Sequence, residues 1–191
     1  NLVFIYYQNE RSFSPVYANV IAIGHAGGGP GTLAFLSNFP RLVKAGVMID
    51  SGMYPLPRLN NPKSPFGMTL GSMLQSLQSS KGEAAFKTMY ASYFGKKCDP
   101  KIASEAVQQA ASTPMPIIQA ELRGMAASTQ KLAEGIAKPV LWLTATAVDQ
   151  DYISKHLKKV SFAQTVGSGH FPQLEVPGQV NAMIETFCDQ L

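Results

Sequence analysis

A strand-like run, Asn19-Val20-Ile21-Ala22-Ile23, ends in Gly24-His25-Ala26-Gly27-Gly28 and leads into a helix-compatible stretch from Pro30. Small residues two before and two after a central position are what a nucleophile elbow requires, because the central residue is held strained on a sharp strand-to-helix turn. Gly24 and Gly28 meet that requirement, and the backbone N–H of Gly27 would point into an oxyanion hole at the helix N-terminus. The central residue is Ala26, and a methyl group cannot attack a carbonyl. A second turn, Val166-Gly167-Ser168-Gly169-His170-Phe171-Pro172, sets a histidine just after another apolar run. From there an imidazole can swing over an elbow as general base. The third candidate is the acidic pair Asp149 and Asp151 after Val140-Leu141-Trp142-Leu143-Thr144. A carboxylate at that place could orient the imidazole, although a helix-capping loop explains the same residues.

These groups need a scaffold that brings them together over 144 positions, from Ala26 to His170. Leu2 to Tyr7 and Asn19 to Ile23 read as buried strands, and about ten residues with Pro15 separate them, too few for a helical crossover. A helix is expected from Pro30 to Val43, bent or ended by Pro40, then a strand over Ala45 to Asp50. Residues 51–67 carry Pro55, Pro57, Pro62 and Pro65 and read as a loop. Helical segments follow at about 69–79, 82–94, 100–112 and 114–127, then strands at 138–144 and 162–166 and a last amphipathic helix over 176–191. Strands alternating with helices predict an α/β fold with a mostly parallel sheet and one helical insertion.

The chain of 191 residues is long enough for one domain with a substantial core, and 46% of it is hydrophobic. Its net charge of +4 comes from scattered lysines with no basic block, which argues against a nucleic-acid partner. No apolar run reaches the roughly 18 residues of a membrane span, so no membrane partner is expected and a cytoplasmic protein is the default. Cys98 and Cys188 are far apart without metal-ligand spacing, so neither a metal nor another cofactor is expected.

Taken together, the motifs resemble the α/β-hydrolase superfamily, over residues 16–191. Gly24-His25-Ala26-Gly27-Gly28 is similar to that family's Gly-x-Ser-x-Gly elbow except at its centre, and Phe39-Pro40-Arg41-Leu42-Val43 with Val47-Met48-Ile49-Asp50-Ser51 resembles the helix and strand after it. Lys138-Pro139-Val140-Leu141-Trp142-Leu143 resembles the strand before the acid, and Gly169-His170-Phe171-Pro172-Gln173-Leu174-Glu175-Val176-Pro177 the histidine loop. The resemblance implies a hydrolase core over 1–52 and 136–191 and a helical cap over 53–135. It also implies a Ser-His-Asp triad with Ala26 at the nucleophile position, Asp149 as preferred acid, Asp151 and Asp50 as substitutes, and His170 as base. The acid loop, Thr144-Ala145-Thr146-Ala147-Val148-Asp149, lacks the family's glycine and sets its aspartate about one residue late. The first strands of the family and their oxyanion-donating loop have no counterpart before Val16, so a second chain or further N-terminal residues are expected to complete the sheet.

The implied substrate is a small, largely apolar ester, lactone or related carbonyl compound, with His25, Met53, Met73, Tyr90 and Phe171 as expected contacts. Met68, Met89, Tyr93, Phe94, Met115 and Met125 are further apolar cap residues, for most of which core packing is the plainer role. Ala26 is read as the replacement of a catalytic serine, which makes this form an inactive esterase or lactonase. A hydrolase-fold receptor that binds without chemistry is the alternative. A dinucleotide-binding domain is the rival from another class, since Gly24-x-Ala26-x-x-Gly29 approximates its fingerprint and Asp50 could hold a ribose. That fingerprint lacks its second glycine, and a P-loop fails because Pro30 stands where its lysine must be.

Overall fold

The computed structural model describes residues 3–6, 19–53, 61–124 and 130–191. Met125, Pro55, Pro57 and residues 125–127 of the fourth expected cap helix lie outside these. Among the described residues the sheet has five strands in the order β1 (Val3–Tyr6), β2 (Val20–His25), β3 (Val43–Ile49), β4 (Val140–Thr144) and β5 (Val160–Gln164). Strands β2 to β5 are mutually parallel, with Ile23 opposite Val47, Val47 opposite Leu141 and Leu141 opposite Ser161. β1 runs antiparallel to β2, with Phe4 opposite Ile23, a pairing that needs no helical crossover in the short connection between them.

Side-chain alternation along β2 to β4 divides the core into two layers. Ala22, Met48, Val140 and Trp142 face α1 (Gly28–Asn38), α6 (Gln130–Ala133) and α7 (Gln150–His156), where they meet Leu33, Leu36, Ala133 and Ile153. Ile21, Val47, Ile49, Leu141 and Leu143 face the other way, onto Val180 and Phe187 of α9 (Pro177–Cys188). α1 lies so close to β3 that a Cβ on Gly46 would fall 2.5 Å from Leu36 Cδ1.

Between β3 and β4 stand α2 (Pro65–Gln78), α3 (Gly82–Ala91), α4 (Pro100–Ala111) and α5 (Met115–Gly124). α2 begins within the expected loop: the Ser64 hydroxyl caps it by accepting from Gly67 N, and Pro65 fits the first turn, where no amide is needed. Asp99 and Pro100 start α4 by the same device, with the Asp99 carboxylate accepting from Lys101 N. These helices share a small core of Leu77, Phe86 and Ile118, while α4 buries no residue completely. Met53 and Ala133, near the two ends of the expected cap, are buried in the sheet's own core instead. The short helix α8 (Pro172–Glu175) carries the chain from the histidine turn into α9.

Candidate active site

β2 delivers its last residue, His25, to the C-terminal edge of the sheet, and the chain then turns through Ala26 into α1. Ala26 has φ +48°, a left-handed conformation that costs a residue with a Cβ on the order of 1–2 kcal/mol. Backbone bonds hold it there: Ala26 N donates to Ile49 O at 2.9 Å, and Ala26 O accepts from Gly29 N at 3.0 Å. Ser51 adds a third tie, its buried hydroxyl donating to Ala26 O at 2.9 Å. A Cβ on Gly24 would collide with the Thr32 hydroxyl and the Gly28 carbonyl, and one on Gly29 would collide with the Ser51 hydroxyl. The elbow therefore depends on glycine at both 24 and 29 for lack of space.

The carboxylate beside this elbow belongs to Asp50. Asp50 follows β3 directly, with φ +41°, and its amide donates to Leu143 O at 2.7 Å, which ties it to the end of β4. Its Oδ1 accepts from Ala145 N at 2.8 Å, and its Oδ2 accepts from His170 Nδ1 at 2.6 Å. Burial pushes the Asp50 carboxyl up, but the hydrogen bonds from His170 and Ala145 outweigh it and leave the group below the usual carboxylate range. Because Ala26 is bonded to Ile49 and Ser51, the two neighbours of Asp50, the elbow, the acid and the imidazole occupy one small region.

Asp149, the acid preferred from sequence, has a different place. It is the N-cap of α7, where its carboxylate accepts from Tyr152 N at 2.9 Å, and Asp151 is exposed in the first turn of the same helix. The capping role satisfies one of the free amides of that helix and leaves no partnership with His170. With its carboxylate bonded to His170, Asp50 is also not free for the ribose that a dinucleotide site would need.

His25 serves the histidine loop. Its Nε2 donates to His170 O at 2.7 Å, and its ring lies 4.9 Å from the His170 ring and 5.2 Å from that of Phe171. Burial lowers its pKa to about 4, only partly offset by the hydrogen bond to the His170 carbonyl, so the imidazole is neutral near pH 7. A neutral ring bonded in this way holds the neighbouring loop and has one fewer polar atom for a substrate.

The helical layer reaches the site through the turn after α3. Tyr93 O accepts from His170 N at 2.8 Å, and the Tyr93 ring meets the His170 ring edge-on at 5.4 Å. Phe94 stacks on Phe171 at 4.6 Å, and Tyr90 lies 5.0 Å from Phe171. Phe171 is thereby almost wholly buried, so this expected contact residue is packing, as is Met53 at 3% exposure. Met73 lines a groove of ≈ 770 Å³ between α2 and α3 with Met68, Leu77 and Met89, away from Ala26, Asp50 and His170. Gly27 is the exposed N-cap of α1. Sequence reasoning passed over Ser51, for which a serine next to a strand-ending aspartate is no distinctive signal. Among the described residues no His, Cys, Asp and Glu cluster could hold a metal ion, and no helix is long and apolar enough to cross a membrane.

Solved structures share this fold. The chain is similar to a thermophilic esterase from Thermogutta terrifontis, with 16% identity and a TM-score of 0.72, covering 91% of this chain and 65% of that one. It is similar to an esterase from a Rhodococcus species, with 19% identity and a TM-score of 0.71 over 93% of this chain and 67% of that one. A hydrolase from Oleispira antarctica gives 14% identity and a TM-score of 0.73 over 91% and 66%. This chain thus spans about 65% of the length of the structures it matches. No family model and no curated protein matches the sequence.

Proposed function

This chain has the α/β-hydrolase fold, and we propose that its site is that of a serine hydrolase acting on a small, largely apolar ester or lactone, here inactivated by alanine at the nucleophile position. The observation that carries the reading is the left-handed φ of +48° at Ala26, beside an imidazole whose Nδ1 is bonded to Asp50 at 2.6 Å. Backbone strain at a residue whose methyl group does nothing is explained by the serine that the elbow would present. With serine there, His170 would take its proton as general base and Asp50 would fix the imidazole tautomer with its other nitrogen free. The Gly27 amide, at the N-terminus of α1, would stabilise the developing oxyanion. The enzymes named among the structural relatives support the reading, which in this chain still depends on the residue at position 26.

The test is Ala26→Ser. Supplied with a second oxyanion-donating loop, the substituted chain is expected to be labelled covalently by a fluorophosphonate, read as a single added mass, and to hydrolyse short nitrophenyl esters. The unaltered chain and an Ala26→Ser, His170→Ala double variant should do neither. The gap in turnover should be on the order of a million-fold, as for other nucleophile deletions. Absence of label and turnover in the serine form, with tight binding of a small apolar ligand by the unaltered chain, would instead favour a receptor.

A further inference from the structure

The proposed proton transfer leaves one well-placed carboxylate without a part in it. Glu175 closes α8, and its Oε1 accepts from Gly169 N at 3.0 Å and Phe171 N at 3.2 Å, the amides on either side of His170. Its Oε2 accepts at 2.7 Å from Gly95 N, which lies 80 positions away in the turn after α3. That turn and the histidine turn cross in direct backbone contact. A Cβ on Gly169 would collide with Gly95 N and Tyr93 O, and one on Gly95 would lie 2.8 Å from Gly169 N. With no room for side chains at the crossing, its amides need an acceptor from outside, and a carboxylate can accept several N–H bonds at once.

His170 is thus held from two directions. The sheet holds its ring through Asp50, while its main chain is fixed by Glu175 on both sides, by Tyr93 O at its amide and by His25 at its carbonyl. We infer that Glu175 is a positioning residue that sets the main chain of His170 and, through Gly95, couples the helical layer to it. The inference rests on the hydrolase reading for its kinetic consequence, though the coupling itself is a property of the unaltered chain. A shift of about 1 Å in such a base costs on the order of a hundredfold in rate, which is why a residue outside the reaction can matter this much.

The experiment has an arm that needs no activity. In the unaltered chain the His170 Nδ1 proton, held between imidazole and Asp50, should give a far-downfield NMR signal. E175Q leaves an oxygen for Gly169 and Phe171 but turns an amide donor toward Gly95 N, so that signal should shift or broaden, while E185Q on the exposed face of α9 leaves it in place. In the Ala26→Ser background, E175Q should lower kcat about tenfold with a shifted pH–rate profile, and E175A about a hundredfold. Should these variants fold poorly, hydrogen exchange on the unaltered chain decides: the amides of Gly95, Gly169 and Phe171 should be protected and open together. An unchanged imidazole signal and pH profile in E175Q, with only the thermal midpoint lowered, would overturn the inference. So would free exchange at Gly95. If the serine form hydrolyses nothing, the hydrolase reading fails while the NMR and exchange arms still decide the role of Glu175.

Discussion

The sheet's C-terminal edge and the helical layer beside it are held together by different means. At the edge, Ala26, Asp50 and His170 are fixed by backbone bonds between neighbouring strands and by a carboxylate with both oxygens bonded. The helical layer has its own small core of Leu77, Phe86 and Ile118, leaves α4 with no fully buried residue, and meets the site mainly at Tyr90, Tyr93, Phe94 and Gly95. Strand register carries a side chain to a set place over tens of residues, whereas exposed helices on a few contacts can shift. The difference leaves the geometry of Ala26, Asp50 and His170 to the sheet, while the helices beside it are freer to move.

The largest effect expected from this contrast is at the acid. In an Ala26→Ser background, Asp50→Asn should lower kcat by about ten-thousandfold, because the imidazole loses its tautomer and orientation. Asp149→Ala should leave kcat unchanged and cost about 1 kcal/mol of stability through the lost cap of α7. Parallel ester assays and urea titrations separate the two. A large rate loss at Asp149 and none at Asp50 would reverse the reading of the site.

Next in size is the independence of the helical layer. Phe86→Ala should weaken that layer by about 3 kcal/mol, the usual cost of deleting a buried aromatic ring. Trp142, the single tryptophan, is buried in the sheet core with its indole N–H on Ser51 O, so its fluorescence reports the sheet alone. Hydrogen exchange should open α2, α3 and α5 well before the Trp142 transition moves; coincident loss of both would show one cooperative unit.

Acid should affect the site edge more than the helices. His25 has a folded pKa of about 4 against an ordinary 6.5, so between these values the unfolded chain binds a proton that the folded chain does not. Its contribution, roughly 3 kcal/mol, is complete above the upper value and lost as pH falls through the window. Asp50, lowered below its ordinary 3.8, adds a further loss at still lower pH. Urea midpoints by Trp142 fluorescence at pH 7 and 5 should differ in the unaltered chain, and His25→Asn should flatten that difference.

The smallest effect contrasts two glycines. Gly24→Ala should destabilise by about 1–3 kcal/mol, since the new Cβ meets the Gly28 carbonyl in the elbow. Gly71→Ala, in the exposed middle of α2 with nothing near its Cβ position, should stabilise by up to about 1 kcal/mol. Thermal melts of both variants check the pair.

Local chemistry made the elbow legible in the sequence. Glycines around Ala26 and an apolar run before it allow a sharp strand-to-helix turn whatever surrounds them, and the continuous apolar run Val140 to Leu143 marks a buried strand in the same way. The glycine turn at His170 is similarly self-evident. The identity of the acid was not, because Asp50 and Asp149 both follow strands and no local pattern tells them apart. Tertiary structure sets them apart: pairing of β3 with β4 carries Asp50 to Ala145 and His170, while Asp149 caps its own helix at the Tyr152 amide. Met53 entered the core, and Glu175 found Gly95, for the same reason. Sequence fixes what each residue can do within its own turn or strand; which residues from distant segments meet depends on register and packing that no single segment encodes.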